Sequence, residues 1–260
     1  GGGGGVGESP RDPAPDEEWW EQVEELELNH QHLRKLHNLE RLVSLRRASF
    51  CNNDLTRVEG LERCTMLEEL TLEDNRIMKL ENLTPLVKLT KLDLGKNKIS
   101  RVEGLDALTH LTQLSLEENE ITSLGGLGKL VSLMEIYIGN NRLSVLKEVQ
   151  QLKPLPKLII LDLSGNPLCD GADYRNYTIY QLRKLKVLDG VGIESGEQNL
   201  AKEKCATGRA LDTGRRAHAQ PHTTHPAPPS TVTTMFTIWS VYMFALGQLL
   251  IAMCGAEVYR

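Results

Sequence analysis

The sequence predicts an α/β solenoid: a right-handed coil with short parallel strands along a concave sheet and short 3₁₀ or helical turns on the convex side. Three observations predict this fold. An asparagine recurs every 22 residues, leucine-like residues keep fixed offsets around it, and aromatic residues make up only 5% of the 260 residues. A fixed period of roughly 20–50 residues is typical of repeat architectures, in which stacked units share a core that no single unit could bury.

Leucine-like residues five and three positions before each asparagine alternate with polar residues, which is the period of a short strand. One such unit contains Leu89, Leu92, Leu94, Asn97 and Ile99. Only about ten residues separate one strand from the next, which favours short or 3₁₀ turns on the convex side. We therefore assign residues 19–190 to one domain of seven repeats that ends in a C-terminal cap helix.

The recurring asparagine marks the turn out of each strand. Its side-chain amide is expected to bond backbone groups of the next coil, so that a buried turn leaves no polar group unpaired. The predicted structural ladder consists of Asn53, Asn75, Asn97, Asn119, Asn141 and Asn166. The last interval is 25 residues instead of 22, and we expect its three additional residues to bulge from the convex side near residues 153–156.

Composition and spacing argue against catalysis and against general nucleic-acid binding. The net charge of −5 is mildly acidic, whereas nucleic-acid binders are usually basic. The five cysteines are scattered without a Cys-x-x-Cys pair, which indicates neither a zinc site nor a redox site and favours a reducing, cytoplasmic location. No catalytic residues can be assembled from a spacing signature. We therefore predict a protein that is not an enzyme and that has no metal ion and no cofactor.

The repeats are followed by Asn-Pro-Leu at 166–168, Tyr-Arg at 174–175 and Leu-Lys-Val-Leu-Asp-Gly at 185–190. Over about residues 22–190 this pattern resembles the SDS22-like class of intracellular leucine-rich repeat proteins. The resemblance implies a leucine-rich repeat fold that binds other proteins. Because relatives include a regulatory subunit of protein phosphatase 1 and the U2A′ spliceosomal protein, it leaves two narrower roles open. One is regulation of a protein phosphatase, and the other is RNA processing through a protein partner.

The polar residues between the strand leucines form the predicted binding surface. Of the 21 outward positions on seven strands, eight are acidic and two are basic, whereas the whole chain carries a net charge of only −5. Such a surface would steer a basic segment or helix of a partner towards it. We therefore predict a monomeric protein–protein interaction scaffold; simple solvation of these charges is the alternative. The predicted binding residues are Glu69, Glu73, Lys91, Asp93, Glu117, Glu135, Tyr137 and Asp162.

The segments outside the array differ from it in composition. Residues 1–18 are expected to be a disordered leader, and residues 191–231 a flexible linker. Residues 232–256 carry no charge, and as a helix of about 37 Å they could cross a hydrocarbon core of about 30 Å. We interpret 232–256 as a candidate transmembrane helix that anchors the array with its repeats facing the cytosol. An apolar segment that docks elsewhere, or a translated intron or misassembled exon, is the alternative.

Overall fold

The computed structural model describes residues 19–206 and shows a parallel sheet built from one short strand per repeat. Its seven repeat strands are β1 Glu25–Glu27, β2 Arg47–Ser49, β3 Glu69–Thr71, β4 Lys91–Asp93, β5 Gln113–Ser115, β6 Glu135–Tyr137 and β7 Ile160–Asp162. They pair in chain order, each with the next, and every pair is parallel. The predicted leucine-rich repeat solenoid is therefore confirmed.

The central residue of each repeat strand is buried, and its two neighbours are partly or fully exposed. These central side chains pack with the apolar residues of the convex turns into one continuous core. The second coil departs from the leucine pattern. It has the small Ala48 in its strand and the fully buried Phe50 two residues later, so a larger side chain in the same coil compensates for the smaller one.

Each ladder asparagine bonds the backbone of its own coil and of the preceding coil. Asn97 Oδ1 accepts a hydrogen bond from the Ile77 N–H at 2.9 Å, and Nδ2 donates to the carbonyls of Leu72 and Leu94 at 2.9 and 3.1 Å. Our expectation of bonds to the next coil was therefore wrong in direction. The reason lies at the strand exit, where N–H groups of one coil point towards carbonyls of the next, as from Leu72 to Asp93 at 2.8 Å and from Asp74 to Gly95 at 3.0 Å. The asparagine oxygen continues this series where no carbonyl is available.

The long interval accommodates its three additional residues as a helical turn. A 3₁₀ helix spans Leu146–Leu152, and its Val149 and Leu152 are fully buried. A 3₁₀ helix has three residues per turn, so three more residues add one turn and leave the apolar positions in phase. The additional residues therefore lie earlier than the expected bulge at 153–156, where Leu155 remains buried.

Both described ends of the array are covered. At the N-terminal end a 3₁₀ helix spans Trp19–Gln22, and Trp20 is buried beneath Trp19, with ring centroids 3.9 Å apart. At the other end the predicted cap helix is α1, Tyr174–Gln181. It is followed by β8 Val187–Leu188, which pairs with β7 in parallel, and by β9 Val191–Gly192, which pairs with β8 in antiparallel fashion.

The structured region continues beyond residue 190, where the sequence places the start of the linker. Helix α2 spans Ser195–Ala206 and packs against α1. Its Ala201 is fully buried, and its Glu197 accepts a hydrogen bond from Arg175 of α1 at 3.0 Å. The polar composition of this stretch resembles that of a linker because α2 buries a small side chain and is otherwise held by polar contacts.

The predicted leader 1–18, the later part of the predicted linker and the candidate transmembrane segment 232–256 lie outside the described residues. Between residues 19 and 206, no helix combines the length and apolar character needed to cross a membrane.

Candidate protein-binding face

The concave face consists of the exposed side chains of β1–β7 and of the residue two positions after each strand. Parallel pairing places equivalent positions of adjacent coils side by side, so that Lys91 lies next to Glu69 and Asp93 lies next to Ser115. All eight predicted binding residues lie on this face. Six are within strands, and Glu73 and Glu117 follow β3 and β5.

Ion pairs neutralise part of the N-terminal half of this face. Lys96 Nζ lies 2.8 Å from Glu73 Oε1, and Lys91 Nζ lies 3.9 Å from Glu69 Oε2. Exposed pairs of this kind contribute little to stability, but they remove carboxylates from the surface that a cationic partner would meet. The pairs on or beside the face are Arg47–Glu25, Lys91–Glu69 and Lys96–Glu73.

The uncompensated negative charge is centred on Glu117. Glycines occupy the equivalent positions of both adjacent coils, Gly95 and Gly139, so no side chain covers Glu117 from either side. Partial burial raises the pKa of the Glu117 carboxyl, and the nearby carboxylates of Asp162 and Asp93 raise it further. Within the described residues, no cation lies within ion-pair distance of Glu117. A shallow depression of about 240 Å³ opens beside it.

Backbone hydrogen bonds orient the two carboxylates that flank Glu117. Asp93 Oδ1 accepts the Gly95 N–H at 3.0 Å, and Asp162 Oδ1 accepts the Ser164 N–H at 2.8 Å. Each bond closes a turn from an aspartate to the backbone two residues later. The second carboxylate oxygen of each residue therefore remains available to accept a hydrogen bond from a partner.

Tyr137 is the only aromatic residue on the concave face among the described strands, and it lies beside these carboxylates. Its hydroxyl donates to Glu135 Oε2 at 3.0 Å. Burial, this hydrogen bond and the surrounding negative charge raise the pKa of Tyr137 to about 12. The phenol therefore stays protonated at neutral pH and presents a flat ring within an acidic surface, an arrangement suited to a cationic side chain.

Sequence reasoning missed two residues at the rim of the depression, Lys96 and Glu118. Each immediately precedes a ladder asparagine and adopts a positive φ, of 51° and 52° respectively. The position before the asparagine is turned outward in every regular coil, and that fixed offset was the signal in the sequence. Lys96 reduces the charge of the face and Glu118 increases it.

The chemistry available on this face is recognition by charge and hydrogen bonding. Over residues 19–206, no group of three or more histidine, cysteine, aspartate or glutamate side chains could hold a metal ion. The cysteines of the same region, Cys51, Cys64, Cys169 and Cys205, are free thiols. Burial raises the pKa of the Cys51 thiol, the one cysteine on the face, so it is poorly suited to act as a nucleophile.

Solved structures of internalins from Listeria monocytogenes are similar to this chain. An internalin described as inlF is 26% identical, with a TM-score of 0.59 over 69% of this chain and 52% of that chain. This chain therefore matches about half the length of that internalin. Internalin C2 is 22% identical, with a TM-score of 0.51 over 66% of this chain and 82% of that chain, and it shows likeness of fold alone.

The sequence model of a family described as Leucine-rich repeat matches residues 89–216. The matched stretch begins two residues before β4 and includes β4–β7 with their ladder asparagines. The same strand register continues through the preceding coils β1–β3, and Asn53 and Asn75 make the same bonds in the coils of β2 and β3. The repeat pattern, the solenoid and the family match agree: the chain has a leucine-rich repeat fold, and its residues 89–216 are similar to the Leucine-rich repeat family.

Proposed function

We propose that this protein is a non-enzymatic scaffold that binds a basic segment or helix of a protein partner on its concave face. One observation carries the proposal: in the described structure, five of the eight acidic side chains on this face have no cation within ion-pair distance. These are Glu27, Asp93, Glu117, Glu135 and Asp162. Extended concave surfaces are the binding surfaces of solenoid proteins.

The raised pKa of Glu117 explains why binding of a cation here would be energetically favourable. Burial and neighbouring carboxylates disfavour the charged form of Glu117 in the free protein. An arginine or lysine placed between Asp93, Glu117 and Asp162 would relieve that repulsion and make charge-assisted hydrogen bonds. The same charges would accelerate association, so binding should weaken as the salt concentration rises.

The test measures binding of a fluorescein-labelled helical peptide of lysine and leucine to the full chain by fluorescence anisotropy. The variant Asp93→Lys with Glu117→Lys should weaken binding about tenfold or more, because it reverses two charges at the centre of the face. The matched control, Glu40→Lys with Glu62→Lys, makes the same change in net charge at exposed sites off the face. Equal weakening in both variants would show attraction by net charge only and would refute the site.

The narrower roles are proposals that rest on the SDS22-like pattern. The segments 47–53, 67–72, 135–141 and 160–163 resemble leucine-rich repeat-containing protein 9, and on that resemblance we propose that the array is related to that protein within the SDS22-like class. For phosphatase regulation, a pull-down compares the wild type with a variant reversed at Glu69, Glu73 and Asp93. Retention of the phosphatase 1 catalytic subunit by the wild type alone supports that role, and absence from both rejects it. Because the face is acidic, an RNA-processing role would require a protein intermediary.

We also propose that residues 232–256 anchor a cytoplasmic array to a membrane, because this 25-residue segment carries no charge and is long enough to cross a bilayer. Alkaline extraction of membranes tests this by comparing the full chain with a chain that ends at Ser230. The full chain alone should remain in the membrane pellet. Extraction of both chains into the supernatant would reject the anchor without affecting the proposal for the concave face.

A further inference from the structure

A second charged surface, of opposite sign, lies on the stretch that follows the ladder asparagines. Gln31 occupies the asparagine position of the first coil, 22 residues before Asn53. A basic residue occupies the fourth position after Gln31 and after the next three ladder asparagines, and all four side chains are exposed. This basic column consists of Lys35, Arg57, Lys79 and Arg101. Adjacent strands of a sheet are about 4.8 Å apart, so the members of the column lie close to one another along one side of the solenoid.

The column passes a depression of about 470 Å³ between the third and fourth coils. Lys79 and Arg101 line this depression together with Lys98, whose N–H bonds the Ile77 carbonyl of the adjacent coil at 2.9 Å. The two coils are thus joined by backbone bonds directly beneath the depression. Ile77 and Ile99, which are adjacent in sequence to the lining residues Met78, Lys98 and Ser100, are fully buried and hold this stretch to the core.

The three cations around the depression have no acidic partner within ion-pair distance among residues 19–206. Cations at equivalent positions of other coils do have an acidic partner. Arg57, which is equivalent to Lys79, lies 3.7 Å from Glu81, and Arg142, which is equivalent to Lys98, lies 3.2 Å from Glu120. Glu103 and Glu120 also line the depression. Arg142 already neutralises Glu120, so three cations share the depression with one carboxylate that is not ion-paired. The result is a local excess of positive charge that the described structure does not compensate.

Further features of the depression identify the class of partner. Met78 lines it with 56% of its surface exposed, and it offers an apolar contact beside the cations. Glu59, Glu81 and Glu103 run alongside the basic column at the same 22-residue period. That acidic row would repel a continuous phosphate backbone, but it leaves room for one or two carboxylates on a short chain. We propose that this depression binds an acidic peptide segment of a second protein partner, with an apolar side chain against Met78.

The experiment uses the full chain and a fluorescein-labelled peptide in which pairs of glutamates flank a leucine, with anisotropy as the readout. The variant Lys79→Glu with Arg101→Glu should weaken binding at least about fivefold, since it replaces two attractive charges by repulsive ones. Lys35→Glu with Arg34→Glu is the matched control, because it makes the same charge change on the first coil, outside the depression. It should leave binding within about twofold of the wild type.

Two further probes complete the test. The same peptide with glutamine in place of glutamate should bind at least about fivefold more weakly to the wild type, and Met78→Ser should weaken binding of the acidic peptide. Equal losses in the two charge-reversal variants, or binding that is indifferent to glutamine, would overturn the proposal. Tighter binding of a single-stranded oligouridylate than of the acidic peptide would also overturn it. The concave-face variant Asp93→Lys with Glu117→Lys separates the two surfaces, because it should retain the acidic peptide.

Discussion

The side chain of one ladder asparagine satisfies several backbone hydrogen-bonding groups. Asn97 is 7% exposed, accepts one backbone N–H and donates to three carbonyls of two coils. Buried backbone groups are costly when they are left unpaired. The amide supplies an acceptor and two N–H donors at one point, whereas an ionised carboxylate has no donor and a hydroxyl has only one. This explains why the same residue returns in every regular coil.

Replacement of Asn97 by leucine should destabilise the array. The Ile77 N–H and the carbonyls of Leu72, Leu94 and Gly95 would lose their bonds to the side chain. We expect the free energy of unfolding in urea to fall by about 1–3 kcal/mol. The control is Asn52→Gly, which removes an exposed side chain at a position with φ of 54° and should change stability by less than about 0.5 kcal/mol. Equal effects would contradict a role specific to the ladder.

Glu117 should make stability depend on pH. Its pKa in the folded chain is raised above the usual 4.5, so over that interval the folded state binds more protons than the unfolded state. Stability therefore falls as the pH rises through the raised pKa. Glu117→Gln removes this term, and its stability relative to the wild type should increase from pH 4 to pH 7 in urea titrations. In 1 M NaCl the part due to Asp93 and Asp162 should shrink. A difference that stays constant with pH would disprove the effect.

The convex turns need one position with a positive φ in each regular coil. Gly60, Gly104 and Gly126 occupy it with φ of 82°, 77° and 93°, whereas Asn38 and Asn82 occupy it in the other coils with φ of 60° and 61°. The preceding coil approaches closely at this point. Asn82 uses that proximity, because its Nδ2 donates to the Val58 carbonyl at 2.8 Å. The position therefore accepts glycine for its shape or asparagine for its hydrogen bond.

Gly126→Ala should be much more damaging than Gly125→Ala. A Cβ at Gly126 would lie 1.9 Å from the Val102 carbonyl oxygen, at a φ that side chains rarely adopt, whereas a Cβ at Gly125 would meet only the Ser123 hydroxyl at 3.5 Å. We expect Gly126→Ala to lower the free energy of unfolding by about 1–3 kcal/mol or more. Gly125→Ala should change it by less than about 0.5 kcal/mol. Thermal and urea unfolding of the pair would reveal a mistaken turn geometry if the two variants behaved alike.

The periodic parts of the array were readable from the sequence, because fixed offsets map directly onto strand, turn and core. Departures from the period were harder to place. The 25-residue interval signalled an insertion but not its place. Apolar residues recur at every third position through Val149 and Leu152, as they do on the convex side of the other coils. The sequence therefore does not show that the additional residues form a 3₁₀ turn there. In the sequence, Asp189 stands out only as part of the segment Leu-Lys-Val-Leu-Asp-Gly at 185–190. In the structure its Oδ1 accepts the Leu163 N–H at 2.8 Å. In the preceding coil the equivalent N–H of Ile138 bonds the backbone carbonyl of Asp162, so the Asp189 side chain takes the place of a strand carbonyl.

The candidate site was predictable only in outline. Strand alternation placed Asp93, Glu135 and Asp162 on one face, but spacing does not reveal which carboxylates are neutralised. Lys96 reaches Glu73 from a turn position that precedes the asparagine, outside the strand columns. Glu117 has no side chain beside it at the equivalent positions of the adjacent coils, because those positions are Gly95 and Gly139. Such pairwise relations become visible only once side chains have coordinates.

In the array as a whole, opposite charges lie on different surfaces, and stabilising contacts join neighbouring coils. The concave face is acidic and the stretch after the asparagines carries the basic column, so two partners of opposite charge could bind the same solenoid without competing. Each coil contacts only its neighbours, and stability in such arrays is a sum of local terms and nearest-neighbour terms. Damage at one end should therefore remain near that end. The C-terminal cap offers a place to test this.

Arg175 joins the elements of the C-terminal cap. Its guanidinium donates to Glu197 of α2 at 3.0 Å and to the carbonyls of Leu188 and Gly192 at 3.2 and 3.3 Å. Arg175→Ala should therefore detach α2 and β9 and lower stability by about 1–2 kcal/mol. Hydrogen exchange should show lost protection in α2 and the last coils, while β1–β3 exchange as in the wild type. Lys202→Ala, an exposed change on α2, is the control. Uniform loss of protection from β1 to α2 would show that the array unfolds as one cooperative unit and would contradict the local character of the cap.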